Sequence, residues 1–474
     1  MTITTPASQR VPIPTKLAWS SGVIAHTFMA NSFSYMAFPI YNIGLKVPAE
    51  WLGWALSIPR FLDAFIDSLI GHLSDNTRSR WGRRRPYVLI GGLLSALLFA
   101  LIWMPPATSG VTAVFAWFFI ISLIYYLAYS LFVVPWNALG LELTTDYHER
   151  TRVMAWKNFI ENCGGLLLGA AWLLSIKFGK MSGGTEVDGA RWVGVLFGIV
   201  IALSSIASAV FCKERFISSA SVGHTKISFW SAVKTTISNR SFLQLGAGMI
   251  LIFLGLFLCN AFSNYISLYY IYGGNKLAQA ELSLYANGIF QLGGLLLTPL
   301  VAWVGTTCGK KATLIGGLMM TMLGYASTWY LYTPDHPYLQ LVSFLLMAPG
   351  LSCVWILTAS MLADICDVDE EQSGLRREGM YGAMFSWLVK MGIAGTLVLS
   401  GYMLTWSGYD PNQEAQPAEV LTRMRVLYAV MPIVFITAAI VVISRYRLTE
   451  SFMQQVRVRL DERARVPPEV GSAT

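Results

Sequence analysis

The stretch RFLDAFIDSLIG, residues 60–71, sets an arginine and two aspartates inside the apolar run from Trp51 to Leu73. That run is long enough to cross a bilayer, whose hydrocarbon core of about 30 Å takes roughly 20 helical residues. Arg60, Asp63 and Asp67 are spaced so that one helix face carries all three. With a helix starting near Trp51, Asp63 falls ~18 Å and Asp67 ~24 Å along it, at or just past mid-membrane. A charge there costs roughly 3 kcal/mol even on a lenient insertion scale. The two carboxylates also repel each other. One arginine balances one acid; the spacing therefore predicts that a movable Na⁺ or H⁺ completes the second. The structural alternative is a fixed Arg60 pair in a bundle that tolerates the remaining acid.

Composition agrees with a chain that lives in lipid. Of 474 residues, 55% are hydrophobic and only 13% charged, against roughly 25% charged in soluble domains; the mean hydropathy is +0.54. Trp and Tyr number 16 and 21, enough to anchor many helix ends at the interfaces. The polar start MTITTPASQRVPIPTKLAW has no charged-then-apolar leader, so no cleaved signal peptide is expected. The six cysteines are scattered without CxxC or Cys/His spacing, which suggests neither a zinc site nor a disulfide framework.

Apolar windows give twelve spans, near 17–42, 51–73, 87–105, 112–140, 153–178, 192–212, 242–272, 282–304, 312–332, 339–362, 380–406 and 426–444. The predicted organisation is a tail (1–16), a six-helix bundle (17–212), a polar basic linker (213–241), a second six-helix bundle (242–446) and a tail (447–474). Of the 34 Lys and Arg, 24 fall in the tails and even-numbered loops and 7 in the odd-numbered loops. The positive-inside rule then puts both termini in the cytoplasm, and the net charge of +8 becomes a topology signal rather than a footprint for nucleic acid. GHLSDNTRSRWGRRRPYVLIGGLL after span two and TTCGKKATLIGGLM after span eight share a Gly, a basic cluster and a Gly pair. Duplicated halves around a midplane site are a common transporter design. The expected fold is an all-α membrane protein of twelve transmembrane helices in two pseudo-symmetric bundles.

Other polar groups fall inside spans. Lys390 lies near mid-membrane in span eleven and needs an anion, for which Glu161 of span five is one candidate. His26, Asn137, Asn158, Asn162, Asn260, Asn264, Asn287 and Gln291 together suggest a wet cavity, though singly each is more often interhelical glue than ligand. Trp355 and Trp387 have the flat apolar faces on which a sugar stacks, although an aromatic on a helix face more often serves plain packing. Pro135, Pro299, Pro349 and Pro432 interrupt spans four, eight, ten and twelve, as a bundle that moves tolerates. On the cytoplasmic side, Arg83, Arg84 and Arg85 are expected to pair with Asp75, Glu142, Asp364 or Asp367 as a gate; the alternative is that they only set topology. No HExxH, GxSxG or P-loop spacing occurs, so neither an enzyme nor an ATP-driven pump is expected.

Three segments resemble the glycoside–pentoside–hexuronide:cation symporter family of the major facilitator superfamily: RFLDAFIDSLIGHLSDNTRSRWGRRRPY, SLFVVPWNALGLELTTDYHERT and WILTASMLADICDVDEEQSGLRREGMYGAMFSWLVKMG. The resemblance implies cation binding at Asp63 and Asp67, completed by the Ser130 hydroxyl, and a sugar pocket that includes Trp355 and Lys390. His26, Asn137 and Asn158 join the candidate pocket. The chain departs from the family where an asparagine between the two aspartates becomes Ile66, removing an oxygen ligand and leaving H⁺ as good a fit as Na⁺. The charged pair of helix one becomes His26–Thr27, the sugar-binding aspartate of helix four Val133, and the arginine of helix five Asn158. A uronide, a pentoside or another glycoside is therefore expected. Expected with it are a bacterial inner (plasma) membrane, a working monomer, no cofactor beyond the coupling ion, no metal other than Na⁺ at the aspartate pair, and the lipid bilayer as the other partner. A carrier of a lysolipid or other amphiphile is the alternative on the same fold.

Overall fold

The structure is a computed structural model describing residues 11–106, 110–144, 146–212, 238–258, 260–374, 377–413, 415–448 and 450–465. Most of the expected linker, 213–237, and the outer parts of both tails lie outside the described residues. The first half consists of α1 (Ile13–Ala37), α2 (Ala49–Asn76), α3 (Arg85–Ile102), α4 (Val111–Leu141), α5 (Tyr147–Gly169), α6 (Ala171–Met181) and α7 (Glu186–Phe211). The second half holds α8 (Arg240–Phe257), α9 (Asn260–Tyr265), α10 (Lys276–Thr307), α11 (Lys310–Leu331), α12 (Gln340–Ser373), α13 (Glu378–Trp406) and α14 (Ala418–Ser444), followed by α15 (Glu450–Arg465).

These helices follow the apolar windows closely, and local chemistry sets their ends. Asp146 caps α5 by accepting the Glu149 N–H, Asn239 caps α8, and Asn275 caps α10. Thr185 and Asp188 close a capping box at α7. Gly374 ends α12 with φ 68°, a left-handed conformation that a side chain would resist.

Four features were not legible in the windows. The fifth span breaks at Ala170 into α5 and α6, bent by 41°. Helix α1 passes into a π-helical turn, Phe38–Gly44, and α9 into another, Ile266–Ile271. Helix α12 runs past the expected end of its span to Ser373, and the C-terminal tail contains α15. Among the described residues, eight helical stretches are apolar enough by composition to cross a membrane, and the bent α5–α6 pair is a ninth. Helices α1, α2 and α11 fall short because polar residues dilute their hydropathy. In α2 the dilution comes from the charged stripe itself.

Within the first half, α3 packs on α4 and α7, α1 on α5 and α7, and α2 on α4. Within the second, α11 packs on α12 and α14, α10 on α12, and α8 on α13 and α14. The halves meet along two seams, α2 with α13 and α5–α6 with α10. The side where both described ends lie is called here the terminal face, and its opposite the far face.

Candidate functional site

Helix α2 carries Asp63 about 21 Å from its first residue, buried to 2% exposure beside Pro59 and Ile70 on the inner face. One Asp63 oxygen, Oδ1, accepts the Ser130 hydroxyl from α4. The other, Oδ2, accepts Lys390 Nζ from α13 at 2.6 Å, and the same ammonium reaches Asp67 Oδ2 at 2.5 Å. A cation tethered to one half thus bridges two carboxylates of the other. Asp67 Oδ1 is buried with no hydrogen-bond partner among the described residues, and an orphaned carboxylate oxygen away from water is costly. The structure brings Asp63, Asp67 and Ser130 together, and adds Lys390 to them.

That corrects two expectations. Lys390 does not pair with Glu161, whose partner is Lys157 one turn away on the same helix at 3.2 Å. Nor does Arg60 form an ion pair with either aspartate among the described residues; its guanidinium donates to the Ala30 carbonyl at 2.8 Å and sits beside Tyr126 and Tyr129. The reason is direction: Arg60 turns to the Ala30 carbonyl of α1, whereas Asp63 and Asp67 both reach Lys390 of α13. The acids of α2 are therefore compensated from the opposite half in this conformation, not left bare for a small ion alone.

The remaining pocket residues form a looser set. His26 accepts from or donates to Tyr129 Oη at 3.0 Å and is stacked between the Tyr129 and Trp136 rings, each centroid 5.9 Å away. Asn158 and Asn137 are exposed, the Asn158 carbonyl accepting Asn162 Nδ2. Trp355 is 52% exposed with its edge against Phe253, and Trp387 meets Phe65 across the α2–α13 seam. These side chains do not converge on one bonded cluster, unlike the aspartates. Asn264 accepts from Gln279 and Ser283 within its own half, as glue; the Asn260 side chain lies outside the described residues.

At the terminal face each half keeps its own charges. Arg84 bridges Asp75 at 2.7 Å and Glu142 at 3.0 Å, and Arg83 joins Glu142. Arg85 instead donates to the Ala209 and Val210 carbonyls, satisfying the end of α7. Asp364 takes Lys310 at 2.6 Å and Arg457 of α15, which also faces Asp367. The expected pairing of Arg83–Arg85 with Asp364 or Asp367 is absent among the described residues, because nearer partners in each half hold those acids. Every described hydrogen bond or ion pair between the halves lies at mid-membrane or toward the far face. Among the described residues no hydrogen bond or ion pair joins the two halves at the terminal face.

Sequence reasoning passed over the far-face bonds: Tyr265 to Asn42, Trp172 to Gln279, Tyr35 to Asn287 and Lys276 to Glu186. A usable signal existed in Gly165 and Gly169 on α5 facing Asn287 and Gln291 on α10, each pair one helical turn apart.

With this geometry in place, comparisons with known proteins are informative. The model of the family described as MFS/sugar transport protein matches residues 18–450. The inner membrane symporter YicJ of Escherichia coli K12 is 26% identical over 96% of each chain. The isoprimeverose transporter of Lactiplantibacillus pentosus is 24% identical over 85% of this chain and 81% of its own. Among solved structures, a D-xylose-proton symporter superposes with a TM-score of 0.64 at 14% identity, covering 90% of this chain and 96% of that one. Two packed helical halves, the charged α2 and a family match over nearly the whole chain agree: the protein is a multi-pass membrane protein belonging to the MFS/sugar transport protein family.

Proposed function

We propose that this chain is a secondary active transporter that moves a sugar together with H⁺ or Na⁺ by alternating access. The observation that carries this reading is the Asp63–Lys390–Asp67 bridge with its orphaned Asp67 Oδ1. A proton or Na⁺ arriving at Asp67 competes with the Lys390 ammonium for carboxylate oxygen. Its binding weakens the ionic link between α2 and α13, so ion occupancy changes what holds the halves together. By linkage, a sugar that favours the ion-bound arrangement tightens the ion by the same factor. Asp63 and Ser130 supply the remaining oxygens; Ile66 supplies none, which fits H⁺ at least as well as Na⁺.

The sugar would lie on the terminal-face side of this bridge, among His26, Asn137, Asn158 and Trp355. Hydroxyls would meet amides and imidazole, and a ring face would meet the exposed indole. The family description and the name of the isoprimeverose transporter support a sugar over a lysolipid. Asp75, Arg83, Arg84 and Glu142, with Asp364 and Asp367, stiffen the terminal ends of the two halves and re-pair when that face closes. We place both termini in the cytoplasm of a bacterial inner membrane, from the distribution of Lys and Arg. The working unit is a monomer without enzyme activity, cofactor or nucleic acid.

Counterflow in proteoliposomes against a panel of glycosides, pentoses and uronides identifies the sugar, and its net uptake is then measured with and without a Na⁺ gradient and a pH gradient. Uptake of at least one sugar driven by one gradient is expected. Sugar flux indifferent to both gradients overturns the coupling, and no sugar flux with movement of a lysolipid overturns the substrate.

A further inference from the structure

The two seams between the halves occupy equivalent places but are built differently. Along α2 and α13 the main chains touch. A Cβ on Gly53 would lie 2.8 Å from the Leu397 carbonyl oxygen, and one on Gly401 2.5 Å from that of Ala49. Lys390 adds its ionic bridge to the same two helices. At these two points backbone presses on backbone, which resists being parted and reformed out of register, while Trp54 with Tyr402 and Thr405 with Glu50 add side-chain bonds to the same seam.

Along α5 and α10 the contact is made by side-chain ends. Asn287 donates to the Gly165 carbonyl at 3.0 Å and accepts the Tyr35 hydroxyl at 2.7 Å. Trp172 of α6 donates to Gln279 Oε1 at 2.9 Å, and Lys276 meets Glu186. A Cβ on Gly169 would meet Asn287 Nδ2 at 2.2 Å, and one on Gly165 would meet Gln291 Nε2 at 2.1 Å. Each of these groups can exchange its partner for water, so each bond has a small net value. The seam also contains the bend at Ala170, immediately after Gly169, where the fifth span is already broken by 41°. A broken helix is a ready point for an angular change.

We propose that the far face opens asymmetrically. The α5–α10 seam is the gate, Asn287 is its central latch, and the α2–α13 seam is the fulcrum about which the halves turn. Asn287 is 8% exposed, and both ends of its amide are spent on the opposite half, so losing it removes two cross-half bonds at once. The ion pair of the proposed coupling site then lies on the fulcrum, where a small loosening is converted into rotation at the distant gate. The gate goes beyond the transport reading and needs neither its sugar nor its ion.

The test is double electron–electron resonance on the full chain in nanodiscs, with native cysteines replaced by serine. One label pair, at Met181 and Glu281, flanks the gate. The other, at Val111 and Asn412, flanks the fulcrum; Phe115 on the first turn of α4 rests on Trp51 of α2, and Pro411 accepts Lys46. Asn287→Ala is expected to raise the parted population across the gate about tenfold, the worth of two modest hydrogen bonds, and Tyr35→Phe to raise it up to about fivefold. The fulcrum distances are expected to change far less in both. Equal widening at the two pairs, widening at the fulcrum alone, or no change in either variant overturns the proposal. Should Asn287→Ala aggregate, Tyr35→Phe decides alone, since it removes one hydroxyl and keeps the ring. No sugar or ion is added, so a failed transport assay and a failed gate leave different records.

Discussion

Helices α2 and α10 occupy matching positions in the two halves, and each faces the opposite half, yet only α2 carries its ion pairs at mid-membrane; the one on α10, Lys276 with Glu186, is at the helix's far end. Helix α2 presents Asp63 and Asp67 to Lys390 of α13; α10 presents Asn287 and Gln291 to the glycines of α5. Ion pairs at mid-membrane are strong while dry and are reset by a proton or a cation. Amides bonded to carbonyls and hydroxyls ignore both. In the proposed coupling scheme, the difference between these two helices puts ion sensitivity on the α2–α13 seam. A carrier with two ionic seams would need two ions to move, and one with two amide seams would have nothing to couple.

The largest expected effect breaks the ionic side. Asp63→Asn removes the carboxylate that holds both Ser130 and Lys390. Breaking one partner of a buried charge pair costs at least ~2 kcal/mol, so gradient-driven sugar accumulation should fall by about thirtyfold or more. Sugar counterflow, which needs no gradient, should survive in the same vesicles. Equal loss of both would show that Asp63 holds the fold rather than the ion, and would dissolve the contrast with α10.

The next effect compares the seams by steric load. Gly401→Val on the fulcrum drives methyl groups into the Ala49 backbone and should cost about 2–3 kcal/mol. Gly165→Ala at the gate meets only the movable end of Gln291 and should cost under about 1 kcal/mol. Thermal unfolding of the two purified variants checks the order, and a reversal would make α5–α10 the rigid contact.

Much of this was readable before any coordinates. Apolar windows located the spans because lipid demands about 20 apolar residues per crossing, and the Arg60–Asp63–Asp67 stripe stood out because lipid penalises it. Partner choice was not readable. Nothing in the chain from Arg60 to Lys390 says that the arginine turns to the Ala30 carbonyl while a lysine some 330 residues later takes both acids. Tertiary direction decides that, and local spacing carries none of it. The gate was hidden for a related reason: the sequence shows Gly165, Gly169, Asn287 and Gln291 within two spans but not that those two distant helices touch. Helix α15 was missed because its low hydropathy resembles a solvated tail; ion pairs from Arg457 and Arg459 and the apolar contact of Val368 with Met453 and Val456 hold it down.

A smaller effect sits at the base of the gate helix. Glu149 begins α5 and ties it to α1 through Lys16 at 2.5 Å and the Val11 N–H at 3.1 Å. Burial by itself pushes this carboxyl up, but the bonds from Lys16, Val11 and Arg152 outweigh it and hold it below its ordinary 4.5. A depressed acid stabilises the folded state above its unfolded value and loses that contribution as pH falls through the folded one. Unfolding temperature should therefore be insensitive to this group from pH 7 to about 5 and fall more steeply below. Glu149→Gln should cost ~1.5–2 kcal/mol at pH 7 and flatten the acid limb. The same acid limb in the variant would assign it to other carboxylates.

The smallest effect concerns the terminal face, where the halves differ least. Arg84 with Glu142 joins α3 to α4, and Lys310 with Asp364 joins α11 to α12, the same bond in each copy. Neither crosses between halves, so Asp364→Asn should cost about 1 kcal/mol, as for a partly exposed pair, and leave both far-face label distances unchanged. Lys310 is one-third exposed and has the Ser360 carbonyl as a second acceptor, which keeps the loss small. A shift at either far-face pair would mean that Asp364 carries energy between the halves in this conformation. The division of labour between the ionic and the amide seam would then extend to a third contact.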